Sequence, residues 1–184
     1  MSIGLDSTLL VALQHADSQF PSGGFAFSQG LEASSQLSAR LGPCNFDDFL
    51  ETQLRHRWAA ADRVALARAH RLAGDLAKLA ERDFEVEAST FVEGLRAGSR
   101  RNGVALLTTH SRIGTTGAGA YRALIAEGKA LGHLAVVQGL LWRQLGLDEP
   151  TAVAMGGYQA AASLATAAVR LGLVEERQTP ARAA

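Results

Sequence analysis

Residues 46–74 read FDDFLETQLRHRWAAADRVALARAHRLAG, and this stretch decides the fold. Phe46, Leu50, Leu54, Trp58, Ala61, Ala65 and Leu72 recur at helical intervals. With ~3.6 residues per turn, that spacing gathers them along one side of an α-helix. The predicted helix ends near Gly74. At its start Asn45 lies three residues before Asp48, an approximate capping box. Just upstream, Leu41-Gly42-Pro43 breaks the preceding helix, because proline has no N–H to donate.

The same periodicity extends in both directions. Residues 7–15 predict a first helix, with Ser7 as cap and Leu9, Leu10 and Leu13 on one apolar face. Gln19-Phe20-Pro21-Ser22-Gly23-Gly24 interrupts it, and the helical pattern resumes over 25–36. Downstream, helices are predicted over 75–82, 85–96 and 100–110. Residues 113–120 (IGTTGAGA) predict a loop, the least structured internal segment. Leu131, Leu134, Val137, Leu141 and Leu145 mark another amphipathic helix. Asp148 caps the last one, with Glu149 and Pro150 in its first turn. Gly156, Gly157, Ala161, Ala165 and Ala168 make that helix slim, which predicts a central position. No stretch alternates apolar and polar residues long enough for a strand. The expectation is an all-α, single-domain multi-helix bundle over residues 1–176, with a disordered polar tail over 177–184.

Composition narrows the function. Of 184 residues, 47% are apolar, enough for a sizeable core. Lys plus Arg number 18 and Asp plus Glu 18, so no basic excess exists to neutralise a nucleic-acid backbone. Cys44 stands alone and forms no internal disulfide, which fits a reducing compartment. The N-terminus lacks the basic region and cleavage site of a signal peptide. Residues 151–174 come nearest to a membrane span. Their apolarity is mostly alanine, and Gln159 and Arg170 interrupt it, so a buried helix is expected and no membrane contact.

Catalytic and metal motifs are missing. There is no Cys-x-x-Cys and no His-Glu-x-x-His among the positions of His15, His56, His70, His110 and His133. His56 and His70 could share a helix face, but they would sit about 21 Å apart along it at ~1.5 Å per residue. Gly128-Lys129-Ala130 resembles the end of a phosphate loop, yet Ala123 replaces the required glycine and no Ser or Thr follows the lysine. Gly114 to Gly119 follows no predicted strand, which excludes a dinucleotide fingerprint. Neither Cys44 nor Ser22 has a nucleophile's sequence context. The expectation is a protein that is not an enzyme and binds no cofactor or metal directly.

What remains is FPSGGFAFSQGLE, residues 20–32. Packing explains Phe25 and Phe27, which can anchor the next helix. It explains Ser28, Gln29 and Gly30 less well. Glycine inside a helix costs roughly 1 kcal/mol against alanine, so Gly30 predicts the close approach of a neighbouring helix or partner.

The longer run LLVALQHADSQFPSGGFAFSQGLE, residues 9–32, resembles the N-terminal signature of the UreF family of urease accessory proteins. Pro21, Gly23, Gly24, Phe25, Phe27, Ser28, Gln29, Gly30, Leu31 and Glu32 carry the likeness. Residues 95–103 (LRAGSRRNG) and 132–139 (GHLAVVQG) are similar to later family segments, in the expected order. For Gly132 and Gly139 the residue-level reading is helix–helix packing.

The resemblance implies an all-α, cytoplasmic, dimerising protein that works in urease maturation. It implies a bridge between UreD (also UreH) and the GTPase UreG, delivering nickel to apo-urease. UreG would carry the nucleotide, and nickel would be cargo. Ser28, Gln29, Glu32, Arg100 and Arg101 are the candidate partner-binding residues. The family usually runs further at the C-terminus, and this chain leaves the pattern after Leu173. The alternative is a small-molecule-binding or hydrolytic helical protein with a pocket near residues 21–27.

Overall fold

The computed structural model describes residues 7–17, 20, 30–41 and 45–174. Every regular element among them is helical, as the apolar spacing predicts. The elements are α1 (Ser7–Ala16), α2 (Leu31–Leu41), α3 (Phe46–Thr52), a π-helical segment (Gln53–Asp62), α4 (Arg63–Leu72), α5 (Leu76–Ser89), α6 (Glu93–Arg112), α7 (Ala118–Ala126), α8 (Leu134–Gln144) and α9 (Glu149–Arg170).

The caps follow local chemistry. The side chains of Asn45, Asp75 and Asp148 accept from the N–H groups of Asp47, Lys78 and Thr151. Each satisfies a helix donor that has no partner within its own helix. Pro150 sits in the first turn of α9, where its missing N–H costs nothing.

The deciding stretch is one helical rod from Phe46 to Leu72, but its register changes midway. Residues 53–62 adopt π geometry, wider than 3.6 residues per turn. This directs Trp58 against α9, where a Cβ added to Gly157 would meet its ring at 3.0 Å.

The centre of the bundle is α8, not α9. Every residue from Ala135 to Trp142 is buried. Its main neighbour is α4, followed by α6. Gly139 makes the α4 crossing possible: an added Cβ would lie 2.6 Å from both Leu66 O and Ala69 Cβ. The small residues of α9 do admit a close neighbour, Trp58, but that helix keeps an exposed side with Tyr158 and Val169. Smallness reports close approach, which a peripheral helix also needs on its inner face.

Several boundaries differ from expectation, among them the predicted gap between residues 96 and 100, which α6 spans unbroken. The predicted break between residues 82 and 85 is absent, and the chain turns at residues 90–92 instead. Asp83, in the gap between the two predicted helices, is a helix-interior residue with no exposed surface, a rare place for a carboxylate. Within the expected loop at 113–120, α7 already starts at Ala118, after Gly117 turns at φ +77°. No described helix is long and apolar enough to cross a membrane.

Candidate functional site

The turn at residues 131–133 brings three consecutive amides together, because Gly132 adopts φ +82°. They converge on the Asp83 carboxylate of α5. Leu131 N and Gly132 N donate to Oδ2 at 2.8 and 2.5 Å, and His133 N donates to Oδ1 at 2.9 Å. The Tyr121 hydroxyl of α7 adds a fourth bond at 2.8 Å. Burial, then the neighbouring Asp83, raises the Tyr121 phenol far above its ordinary value. One carboxylate therefore ties α5, α7 and the entry of α8 together.

His133 continues the network outward. Its Nε2 lies 2.8 Å from Glu87 Oε2 and its Nδ1 3.1 Å from Ser99 Oγ. Ser99 Oγ also accepts from Leu134 N at 3.2 Å. The consistent assignment has Ser99 O–H donating to Nδ1 and Nε2–H donating to Glu87. Glu87 Oε1 accepts from Arg100 Nη1 at 2.6 Å, and Arg96 Nε stands 3.5 Å away. Arg100 Nη2 reaches Glu93 at 3.2 Å, and Arg96 bonds both Glu93 and Thr90 O. These arginines, Arg96 first, hold the Glu93 carboxyl below its usual range.

Hydroxyl, imidazole and carboxylate in this order have the connectivity of an activated serine. Here the imidazole has no exposed surface and two arginines occupy the carboxylate. The line braces the turn before α8 and ends at the surface in Arg96 and Arg100.

The predicted site residues fall in different places. Arg100 is about one-third exposed and is engaged with Glu87 and Glu93. Arg101 is exposed and enters no ion pair among the described residues. Glu32 is exposed on α2. Gly30 precedes α2 at φ +92°, and no described atom lies within 4 Å of an added Cβ. Left-handed backbone, rather than close packing, therefore accounts for glycine at that position. Pro21, Gly23, Gly24, Phe25, Phe27, Ser28 and Gln29 lie outside the described residues, as do the alternative pocket and Cys44.

A second polar cluster joins residues far apart in sequence. His15 Nε2 of α1 is 3.2 Å from His110 Nε2 of α6, and the rings stack with centroids 5.1 Å apart. Phe20 packs on both. Neither Asp83, Glu87 nor the histidine pair was visible as a site in the sequence. The one available signal was His133 inside the Gly-His segment. No group of three metal-ligating side chains occurs among the described residues.

The two segments that resemble later family motifs, 95–103 and 132–139, meet in space. A Cβ on Gly103 would collide with Gly132 O and lie 2.9 Å from Leu134 N. Comparison with known proteins bears on the whole of this region. The UreF family model matches residues 42–179. The chain belongs to the UreF family.

Urease accessory protein UreF of Haemophilus influenzae is 31% identical over 168 residues, covering 89% of this chain and 72% of the relative. The UreF of Kocuria rhizophila is 34% identical over 167 residues, covering 88% and 69%. That of Actinobacillus pleuropneumoniae is 28% identical over 166 residues, covering 88% and 73%. No solved structure matches. These UreF relatives are accessory proteins and not enzymes, and so is this chain. The bracing reading of Ser99, His133 and Glu87 agrees with that. The family-model match covers both segments that meet at Gly103 and Gly132.

Proposed function

We propose that this protein is a non-catalytic scaffold in urease maturation. It bridges UreD (UreH) and the GTPase UreG, works in the cytoplasm as a homodimer, and helps deliver nickel to apo-urease. Membership of the UreF family supports the reading, and one structural observation carries it to the surface. Phe91 is 91% exposed and Val92 58% exposed at the α5–α6 turn. They stand immediately before Glu93 and the ion pairs that Arg96 and Arg100 make with Glu87 and Glu93. An apolar pair bordered by charge is the anatomy of a protein contact. Its backing is rigid, because the bonds through Glu87 and His133 anchor the α6 entry to the core.

A scaffold of this kind acts through differential affinity. It must prefer one state of UreG over another, since equal binding to both shifts no equilibrium. Arg101 and the Phe91–Val92 pair are the proposed contact residues, and Glu32 marks a second exposed position on α2.

The test is co-purification of the chain with its cognate UreD and then UreG, followed by mass measurement. A stable ternary complex is expected. A folded, soluble chain that captures neither partner overturns the proposal.

A further inference from the structure

α1 is held to the body by few contacts. Its Leu9, Leu10 and Leu13 are 52%, 48% and 59% exposed, so its most apolar side faces outward. Val11 and Ala12 pack against the core only partly buried. A further attachment is at the C-terminal turn, where His15 is 4% exposed. Gln138 of α8 donates to Gln159 of α9 at 2.8 Å, and Gln159 donates to His15 O. The imidazole of His15 meets that of His110, and Phe20 closes over both.

The hydrogen bonds set the protons. His15 Nδ1 is 2.8 Å from Val11 O, so Nδ1 carries its hydrogen and Nε2 offers a lone pair. His110 Nε2 must then donate across the 3.2 Å gap. Its Nδ1 accepts from Thr115 Oγ1 at 2.9 Å. The pair is complete with both rings neutral. A proton on His15 Nε2 would oppose two N–H groups. A proton on His110 Nδ1 would place a buried cation between the Thr115 hydroxyl and His15, neither of them charged.

We propose that the His15–His110 pair is a proton-operated latch that holds α1 on the helical body at neutral pH and releases it on acidification. Among the described residues, the charged groups on the surrounding elements do not act on either ring. Asp17 at the end of α1, Arg112 in the last turn of α6 and Arg122 on α7 are all exposed. Among the described residues, no carboxylate acts on either ring, while α8 and α9 offer the neutral Gln138 and Gln159. Burial lowers His15, and burial followed by the nearness of His15 lowers His110 to about 4. A histidine depressed in the docked state leaves docking unaffected above its ordinary value of about 6.5 and weakens it as pH falls towards 4.

The experiment is hydrogen-exchange mass spectrometry on the full chain at about pH 7.5 and about pH 5, corrected for intrinsic exchange rates. His110 alone multiplies the released population roughly 30-fold at about pH 5, if release restores its ordinary value. Peptides from α1 are therefore expected to open roughly 30-fold more, with α8 unchanged. The His15→Gln, His110→Gln double variant puts side-chain amides in place of the imidazoles and cannot titrate, so its α1 exchange is expected to be flat with pH. A wild-type α1 that changes less than about threefold overturns the latch, as does a double variant that keeps the full rise. An NMR titration of the wild-type imidazoles is independent of the variant's folding. Either ring found charged at about pH 6 also overturns the proposal.

Discussion

Replacing Asp83 tests whether the buried carboxylate organises the α5–α7–α8 junction. Asp83→Ala would leave four donors facing it without an acceptor: the amides of Leu131, Gly132 and His133 and the Tyr121 hydroxyl. Each unsatisfied buried group costs about 1–3 kcal/mol, but the turn can relax and recover part of that, so a net loss of about 4 kcal/mol is expected. Asp83→Asn keeps one oxygen for the bonds to Oδ2 but turns an NH₂ towards His133 N–H, for about 2 kcal/mol. Tyr121→Phe removes only one donor and leaves the carboxylate with three, for about 1 kcal/mol. At about 2–4 °C per kcal/mol for a chain of this size, the expected falls in Tm are about 8–16, 4–8 and 2–4 °C. Calorimetry gives Tm, and urea unfolding at constant m confirms that the native state is the one affected. A fall below about 3 °C for Asp83→Ala would refute the organising role, as would a reversed order of the three variants.

Gly139→Ala would drive its Cβ into the α4 backbone at Leu66 O and His70 N, so α4 and α8 must separate. A loss of about 3 kcal/mol is expected by thermal unfolding, because backbone cannot yield as a side-chain tip does. Arg101→Ala is expected to change stability by less than about 0.5 kcal/mol while weakening UreG capture in a calorimetric titration. Arg100→Ala, by contrast, breaks a mostly buried pair with Glu87 and is expected to cost about 1 kcal/mol of stability. Phe91→Ser should leave the melting temperature in place and reduce co-purification with partners; undiminished capture would remove the α5–α6 turn from the interface.

The helices were legible because their apolar faces repeat over long windows. Their ends were legible where a capping side chain marks them, as at Asn45, Asp75 and Asp148. Errors arose where tertiary contacts overrule local preference. α6 reads as two pieces because Gly98 and Gly103 weaken its helical signal, yet Gly103 is needed where the turn before α8 crosses it. The π segment at residues 53–62 is hidden for a similar reason, since Trp58 and Ala61 still fit a 3.6-residue pattern. The small residues of α9 point to centrality in the sequence, but what they mark is its close approach to Trp58. In α8 the better signal is the unbroken burial of bulky residues from Val136 to Trp142, with one glycine at the closest crossing.

The polar sites were hidden for a different reason. Asp83 and Gly132 are 49 residues apart, and His15 and His110 are 95 apart. No spacing rule joins positions that only the fold brings together. The family-like segments did point the right way, but their meaning changed once they met. Arg100 suggested a free contact residue, yet its guanidinium reaches inward to Glu87, whose other oxygen receives His133. A surface arginine linked to a buried histidine two bonds away makes the α6 entry stiff. That stiffness lets Phe91, Val92 and Arg101 be presented without first being ordered, and ordering a loose segment would cost affinity at every binding event. If partner capture depends on this preorganisation, Glu87→Gln should weaken capture although Glu87 contacts no partner. Phe91→Ser should weaken it with the His133 network unchanged. A double variant no worse than the worse single one would show that both act through the same surface.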